Sequence, residues 1–135
     1  MRYFSHDEAE SLLPRLQEIM SWVLKLKTQA RKKVMDYHRL EKSPKANAAN
    51  VAIARAQAEF LVAQIKEQLE QIGKMGAMAK GLDPCLVDFP YRLNGREVYL
   101  CWKYGEENIS CYHGLEEGYA GRKPLPTHVL YKDVE

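Results

Sequence analysis

The sequence lacks most of the features that name a function at once. Its three cysteines, Cys85, Cys101 and Cys111, are odd in number and contain no Cys-x-x-Cys pair, which excludes a zinc-ribbon spacing and a complete disulfide framework. No stretch approaches the roughly 20 apolar residues of a membrane span. The opening Met-Arg-Tyr-Phe-Ser-His-Asp-Glu carries charges where a signal peptide needs an apolar run. The expectation is a protein with free thiols in the reducing cytoplasm and no membrane partner. An excess of one charge is also missing: 20 Lys and Arg against 18 Asp and Glu leave a formal +2, far from the basic balance that marks a nucleic-acid binder. There is neither a nucleophile elbow nor a phosphate loop, so the residues lean away from an enzyme.

What is present is 135 residues, 46% hydrophobic and 28% charged, enough for one domain with a real core. Ser5-His6-Asp7-Glu8 forms a capping box, in which the serine hydroxyl and the glutamate carboxylate each satisfy a free backbone N–H, so a helix starts near His6. Leu12, Leu16, Ile19, Val23, Leu26, Ala30, Val34 and Tyr37 then recur at three- and four-residue steps, the stripe of a long amphipathic helix. Pro14 predicts a kink or short break just before it. Residues 41–47 hold a proline among polar side chains and predict a turn. A second stripe, Val51, Ala54, Ala58, Leu61, Ile65, Leu69 and Ile72, closes at Gly73. Its many alanines permit close helix approach but give little apolar area.

Past residues 74–84, which carry no assignable pattern, hydrophobicity alternates. Leu86 to Arg92, Asn94-Gly95 and Arg96 to Tyr104 predict a hairpin around a two-residue turn, with Ile109 to His113 as a third strand. Pro90 implies that the first strand lies at an edge. A two-residue first turn sets Phe89 opposite Leu100, Val87 opposite Trp102 and Arg92 opposite Glu97. The second turn is less determined. If Tyr104 pairs with Ile109, His113 joins the apolar face; a three-residue turn instead sets Cys101 opposite Cys111 and Tyr99 opposite His113. The predicted fold is α+β: a long antiparallel helical hairpin (6–72) packed on a small three-stranded antiparallel meander (85–113), closed by a wrapping loop (114–125) into a single domain over 1–125, with a tail at 126–135.

Several segments stand out together: Tyr3-Phe4-Ser5 with Glu8-Ala9 and Leu12-Leu13-Pro14; Leu86-Val87-Asp88-Phe89-Pro90; Gly95 to Trp102; and Gly118-Tyr119-Ala120-Gly121-Arg122-Lys123-Pro124-Leu125. In these the chain resembles the prokaryotic domain-of-unknown-function family numbered 2203, up to about Leu125. The resemblance implies no activity.

The densest polar set lies on and behind the hairpin: Asp88, Arg92, Glu97, Tyr99, His113 and Arg122. A cross-strand Arg92–Glu97 ion pair and a bidentate Asp88–Arg122 clamp would account for it structurally. The same residues could line a pocket for a small anion or a carboxylated ligand. Cys101, His113 and Glu117 are the metal-ligand candidates, chemically competent for zinc or a similar divalent ion; apart from that ion no cofactor is indicated. Lys25, Lys32 and Arg39 lie at seven-residue steps on the first helix, a line that a phosphate backbone could follow, although solvated helix faces commonly look the same. Met20, Trp22, Leu24, Met35, Phe60 and Val62 fall outside the main stripes, where pairing of two hairpins in a homodimer would bury them. The leading expectation is a small cytoplasmic interaction or scaffold protein without catalysis, dimeric through its helices. An anion- or metal-binding protein using the sheet's polar face stands second, and a weak nucleic-acid binder third.

Overall fold

The computed structural model describes residues 2–131, and divides into two compact units: residues 2–18 with 72–131, and residues 19–71. The helices are α1 (His6–Ser11), α2 (Leu13–Lys42), α3 (Ala48–Lys74) and the short α4 (Thr127–Leu130). The strands are β1 (Met78–Leu82), β2 (Cys85–Leu93), β3 (Arg96–Lys103), β4 (Cys111–His113) and β5 (Lys123–Pro124), in one sheet of order β1-β2-β3-β4-β5 with every neighbour antiparallel. The class is α+β as expected, with five strands instead of three.

The capping box opens α1 as the sequence predicts: the Ser5 hydroxyl accepts from the Glu8 N–H at 3.0 Å, and the Glu8 carboxylate accepts from the Ser5 N–H at 2.9 Å. Pro14 produces its break. The helix stops at Ser11, and the Leu12 N–H closes a tight turn on the Ala9 carbonyl at 3.1 Å. Helix α2 then restarts at Leu13, leaving Pro14 in a first turn where its missing N–H costs no bond. Within the second unit α2 and α3 form an antiparallel pair with buried Ile19, Met20, Val23, Leu26, Ala30, Ala54 and Ala58. Met20, expected to be left over at a flank, is fully buried. Asn47 caps α3 by accepting the Ala49 N–H at 2.8 Å. The helix passes through Gly73 and ends at Lys74; the residue that stops it is Gly76, whose φ of +92° is a conformation that side chains disfavour.

Strand β1 occupies the stretch without a readable pattern. It pairs Met78 with Asp88 and Ala79 with Val87, then shifts register so that Lys80 is the extra residue of a bulge. Strand β2 is therefore interior from Cys85 to Asp88, which corrects the edge assignment for that part of the strand, while Pro90 lies beyond the reach of β1. The proline is tolerated because β1 ends its pairing at Asp88. A strand residue directs its N–H and C=O to the same side, and the Pro90 carbonyl points past β1 to accept the Phe4 N–H at 2.8 Å.

The β2–β3 hairpin has the predicted register, with Phe89 opposite Leu100, Val87 opposite Trp102 and Arg92 opposite Glu97. Asn94 and Gly95 turn it with φ of 52° and 82°, the left-handed pair that a two-residue hairpin requires. Val87, Phe89, Leu100, Trp102 and Ile109 are fully buried, and the Phe4 ring meets Phe89 edge-on at 5.4 Å.

The β3–β4 register is the three-residue-turn alternative, with Cys101 opposite Cys111 and Tyr99 opposite His113. Tyr104 does not pair with Ile109. The Ile109 N–H donates to Glu10 of α1 at 2.9 Å, and its carbonyl accepts from His6 Nε2 at 2.7 Å. At the other end of the turn the Glu106 carboxylate takes the Lys103 N–H at 2.7 Å, which stops β3. The stretch expected as a wrapping loop and tail holds a 3-10 turn at Tyr119–Gly121, then β5 and α4, with Leu125 and Val129 buried; residues 132–135 of the expected tail lie outside the described residues.

Because Phe89 is completely buried at the centre of β2, Phe89→Ala should lower unfolding free energy by about 3–5 kcal/mol, read from chemical denaturation with an unchanged helical circular-dichroism signal before the transition.

Candidate functional site

Alternation along three adjacent strands places Asp88 of β2, Cys101 of β3 and His113 of β4 on the same face of the sheet, opposite the apolar one. That face is covered at this point, and all three residues are buried. His113 Nε2 lies 3.0 Å from Asp88 Oδ2, and its Nδ1 lies 2.8 Å from the Gly114 carbonyl. A carbonyl can only accept, so Nδ1 carries a proton. The Nε2–Oδ2 contact ties the imidazole to the Asp88 carboxylate. Asp88 Oδ1 is buried with no conventional hydrogen-bond partner among the described residues, and the weak S–H donor of Cys101 is the group that reaches this carboxylate.

Cys101 contributes a thiol whose ligand atom shares a 4.8 Å cluster with those of Asp88 and His113. Burial, and then the nearby Asp88 carboxylate, push its pKa up to about 12, so it is a neutral thiol at physiological pH. Beside the cluster is a cavity of about 350 Å³ lined by Asp88, His113, Tyr99 and Lys80 and by the loop from Leu115 to Tyr119. Tyr99 stands edge-on to the His113 ring at 5.7 Å, and the Lys80 ammonium lies 5.7 Å from the Tyr99 ring centre.

The loop is shaped by Glu117. Its carboxylate accepts the Gly114 N–H at 2.7 Å and the Lys123 ammonium at 3.0 Å, and first Lys123, then that backbone N–H, hold it below the usual carboxylate range. A Cβ at Gly121 would come within 2.6 Å of the Glu117 Cβ, so the chain can wrap this closely only with glycine there.

Of the residues expected to line a site, Asp88, Tyr99 and His113 converge on the cavity. Arg92 and Glu97 are opposite each other, but their side chains engage Tyr3: Glu97 accepts a hydrogen bond from the tyrosine hydroxyl, and the Arg92 guanidinium lies 4.3 Å from the ring centre. The expected Asp88–Arg122 clamp does not form. Arg122 Nη2 is held by both Glu106 oxygens, at 2.8 and 3.0 Å, and by the Cys101 carbonyl at 3.2 Å. In the expected metal set Cys101 and His113 come together, whereas Glu117 is tied to the loop and Asp88 supplies the carboxylate. Lys25, Lys32 and Arg39 are exposed on α2, with Arg39 3.9 Å from Asp36.

Two contributors escaped the sequence reading. Lys80 lies in the stretch without a pattern, and its placement needs the β1 bulge; Glu106 was assigned only to a turn, and nothing in its neighbours marks it as the partner of Arg122.

The domain family described as an uncharacterized conserved protein, DUF2203, matches residues 2–125. The chain belongs to this family. The DUF2203 match spans every element from α1 through β5 and so includes Asp88, Cys101, His113 and the loop over them. No curated protein and no solved structure matches the chain. Among the described residues no helix is long and apolar enough to cross a membrane.

Because the folded thiol's pKa lies above its ordinary 9.0, folding favours the protonated form. That stabilisation is complete below the ordinary value and is lost as pH rises toward 12. At about pH 8 the thiolate fraction is on the order of 10⁻⁴. Iodoacetamide should therefore leave Cys101 unmodified in the native protein and alkylate it after unfolding, as peptide mass spectrometry would record.

Proposed function

We propose that this protein is a small binding protein whose ligand sits in the cavity on the polar face of the sheet. The observation that carries this reading is an oxygen of Asp88, a residue that lines the cavity; that oxygen is buried and without a hydrogen-bond partner among the described residues. The ligand must bring positive charge or a hydrogen-bond donor to that oxygen, because the two arginines expected to hold an anion are engaged with Tyr3 and Glu106. Tyr99 and Tyr119 supply flat apolar walls, and the Leu115–Tyr119 loop supplies a rim. A nucleophilic role for Cys101 is disfavoured by its burial and high pKa, which supports binding over catalysis. The three free cysteines suit a reducing, cytoplasmic setting.

A second role is compatible with the first. Trp22, Met35, Ile53, Phe60 and Val62 of the hairpin are exposed, Phe60 at 61%, and the α2–α3 pair carries a groove of about 520 Å³ lined by Val34, Tyr37, Ala58 and Val62. Burial of these residues against a second copy would give the coiled homodimer expected from the sequence, at about 25 cal/mol per Å² of apolar surface removed from water.

Two measurements decide these readings. In a nuclear magnetic resonance screen with guanidinium, alkylammonium and metal salts, at least one compound should shift the His113 and Tyr99 signals in the wild type and fail to do so in Asp88→Asn; a full panel without shifts would exclude the cavity as a site. In sedimentation equilibrium the wild type should run as a dimer and Phe60→Ser should weaken it at least tenfold, whereas a wild type that stays monomeric at every concentration would discard the dimer.

A further inference from the structure

The donor atoms around the cavity select among the ligands that the binding reading allows, and the following inference rests on that reading. Asp88, Cys101 and His113 each present one ligand atom, and these atoms lie within 4.8 Å of one another. Around a tetrahedral ion with bonds of about 2.0–2.3 Å, ligand atoms are ~3.3–3.8 Å apart, so small side-chain adjustments would bring all three into range. Carboxylate, thiolate and imidazole together form the donor set of zinc-like divalent ions, whereas magnesium and calcium take oxygen alone.

Two further observations point to a cation in particular. Asp88 Oδ1 is buried and has no hydrogen-bond partner among the described residues, and a positive ion would offset its desolvation. His113 is oriented as metal-bound histidines are: Nδ1 donates to the Gly114 carbonyl at 2.8 Å, which leaves Nε2 as the nitrogen facing the cluster. The geometry points to a site for one zinc-like divalent ion held by Asp88, Cys101 and His113, with a fourth coordination position that opens into the cavity beside Tyr99. Three protein ligands with one open position distinguish this arrangement from a closed structural site, which uses four. A small molecule with a lone pair would complete the coordination from the cavity side. Cys111, opposite Cys101 on β4, is outside the cluster and is not a ligand.

Cobalt(II) is the direct probe, because thiolate ligation gives it a near-ultraviolet charge-transfer band and four-coordination gives intense visible bands. Full-length protein stripped by a chelator should take up one cobalt ion per chain with both features, and zinc should displace it. Cys101→Ser should remove the charge-transfer band, and Cys111→Ser should keep it. Asp88→Asn and His113→Gln should each weaken zinc binding by more than about 100-fold, beyond what loss of an outer-shell partner usually costs. The wild-type spectrum does not depend on the folding of any variant: absence of the charge-transfer band, or its survival in Cys101→Ser, would overturn the site. If guanidinium or alkylammonium ions shift the His113 signals while cobalt and zinc do not, the ion fails and the cavity reading stands; if none of them does, both fail.

Discussion

Two side chains of α1 hold the backbone of Ile109, His6 at its carbonyl and Glu10 at its N–H, and that hold decides which face of the sheet His113 joins. With those bonds made, Ile109 cannot also enter the ladder with Tyr104, and β4 begins at Cys111. The strand period is two, so a shift of one residue would carry every side chain of β4 to the opposite face. In the observed register His113 reaches Asp88 at 3.0 Å; in the other, an imidazole would be pressed among Phe89, Leu100 and Trp102 and Asp88 would lose its partner. A helix of six residues thus acts on a strand about a hundred positions later in the chain.

The same region shows how buried polar groups are managed. Glu106 closes its turn through the Lys103 N–H, accepts the Trp102 indole N–H on its own carbonyl at 2.9 Å and pairs with Arg122. That arginine also reaches the Cys101 carbonyl, so turn, strand and C-terminal loop are joined through one guanidinium. Charge-assisted bonds of this kind are worth more when partly shielded from water than on an open surface. Two buried side-chain atoms lack a hydrogen-bond partner among the described residues, Arg122 Nε within this network and Asp88 Oδ1 beside it. Asp88 is held by His113 through its other oxygen and lies beside a thiol and a cavity.

The hairpin unit follows different physics. Its buried seam uses small residues, Ala30, Ala54 and Ala58, alongside Val23 and Leu26. Such a seam allows the helices close approach but buries limited apolar area, while Trp22, Met35, Ile53 and Phe60 remain in solvent. Ion pairs at helical spacing, such as Arg55–Glu59 at 2.8 Å, decorate its exposed surface, where solvent screening leaves them little weight.

Local chemistry was legible in the sequence wherever one residue type has a single good use. Ser5 and Glu8 marked the start of α1, Pro14 the break, and Asn94-Gly95 the hairpin and, through it, the whole β2–β3 register, because these outcomes depend on torsions and hydrogen bonds within a few residues. The alternating pattern from Leu86 onward also showed which side of β2 and β3 forms the core. Tertiary structure alone decided the rest: that Met78–Leu82 pairs as a strand despite its weak pattern, that Arg122 belongs to Glu106 and not to Asp88, and that His113 sits beside Asp88 and Cys101. Each of these results from competition among partners distant in sequence, where the ability of a carboxylate or an N–H to bond is plain from its residue but the choice of partner depends on what the packed chain brings within about 3 Å.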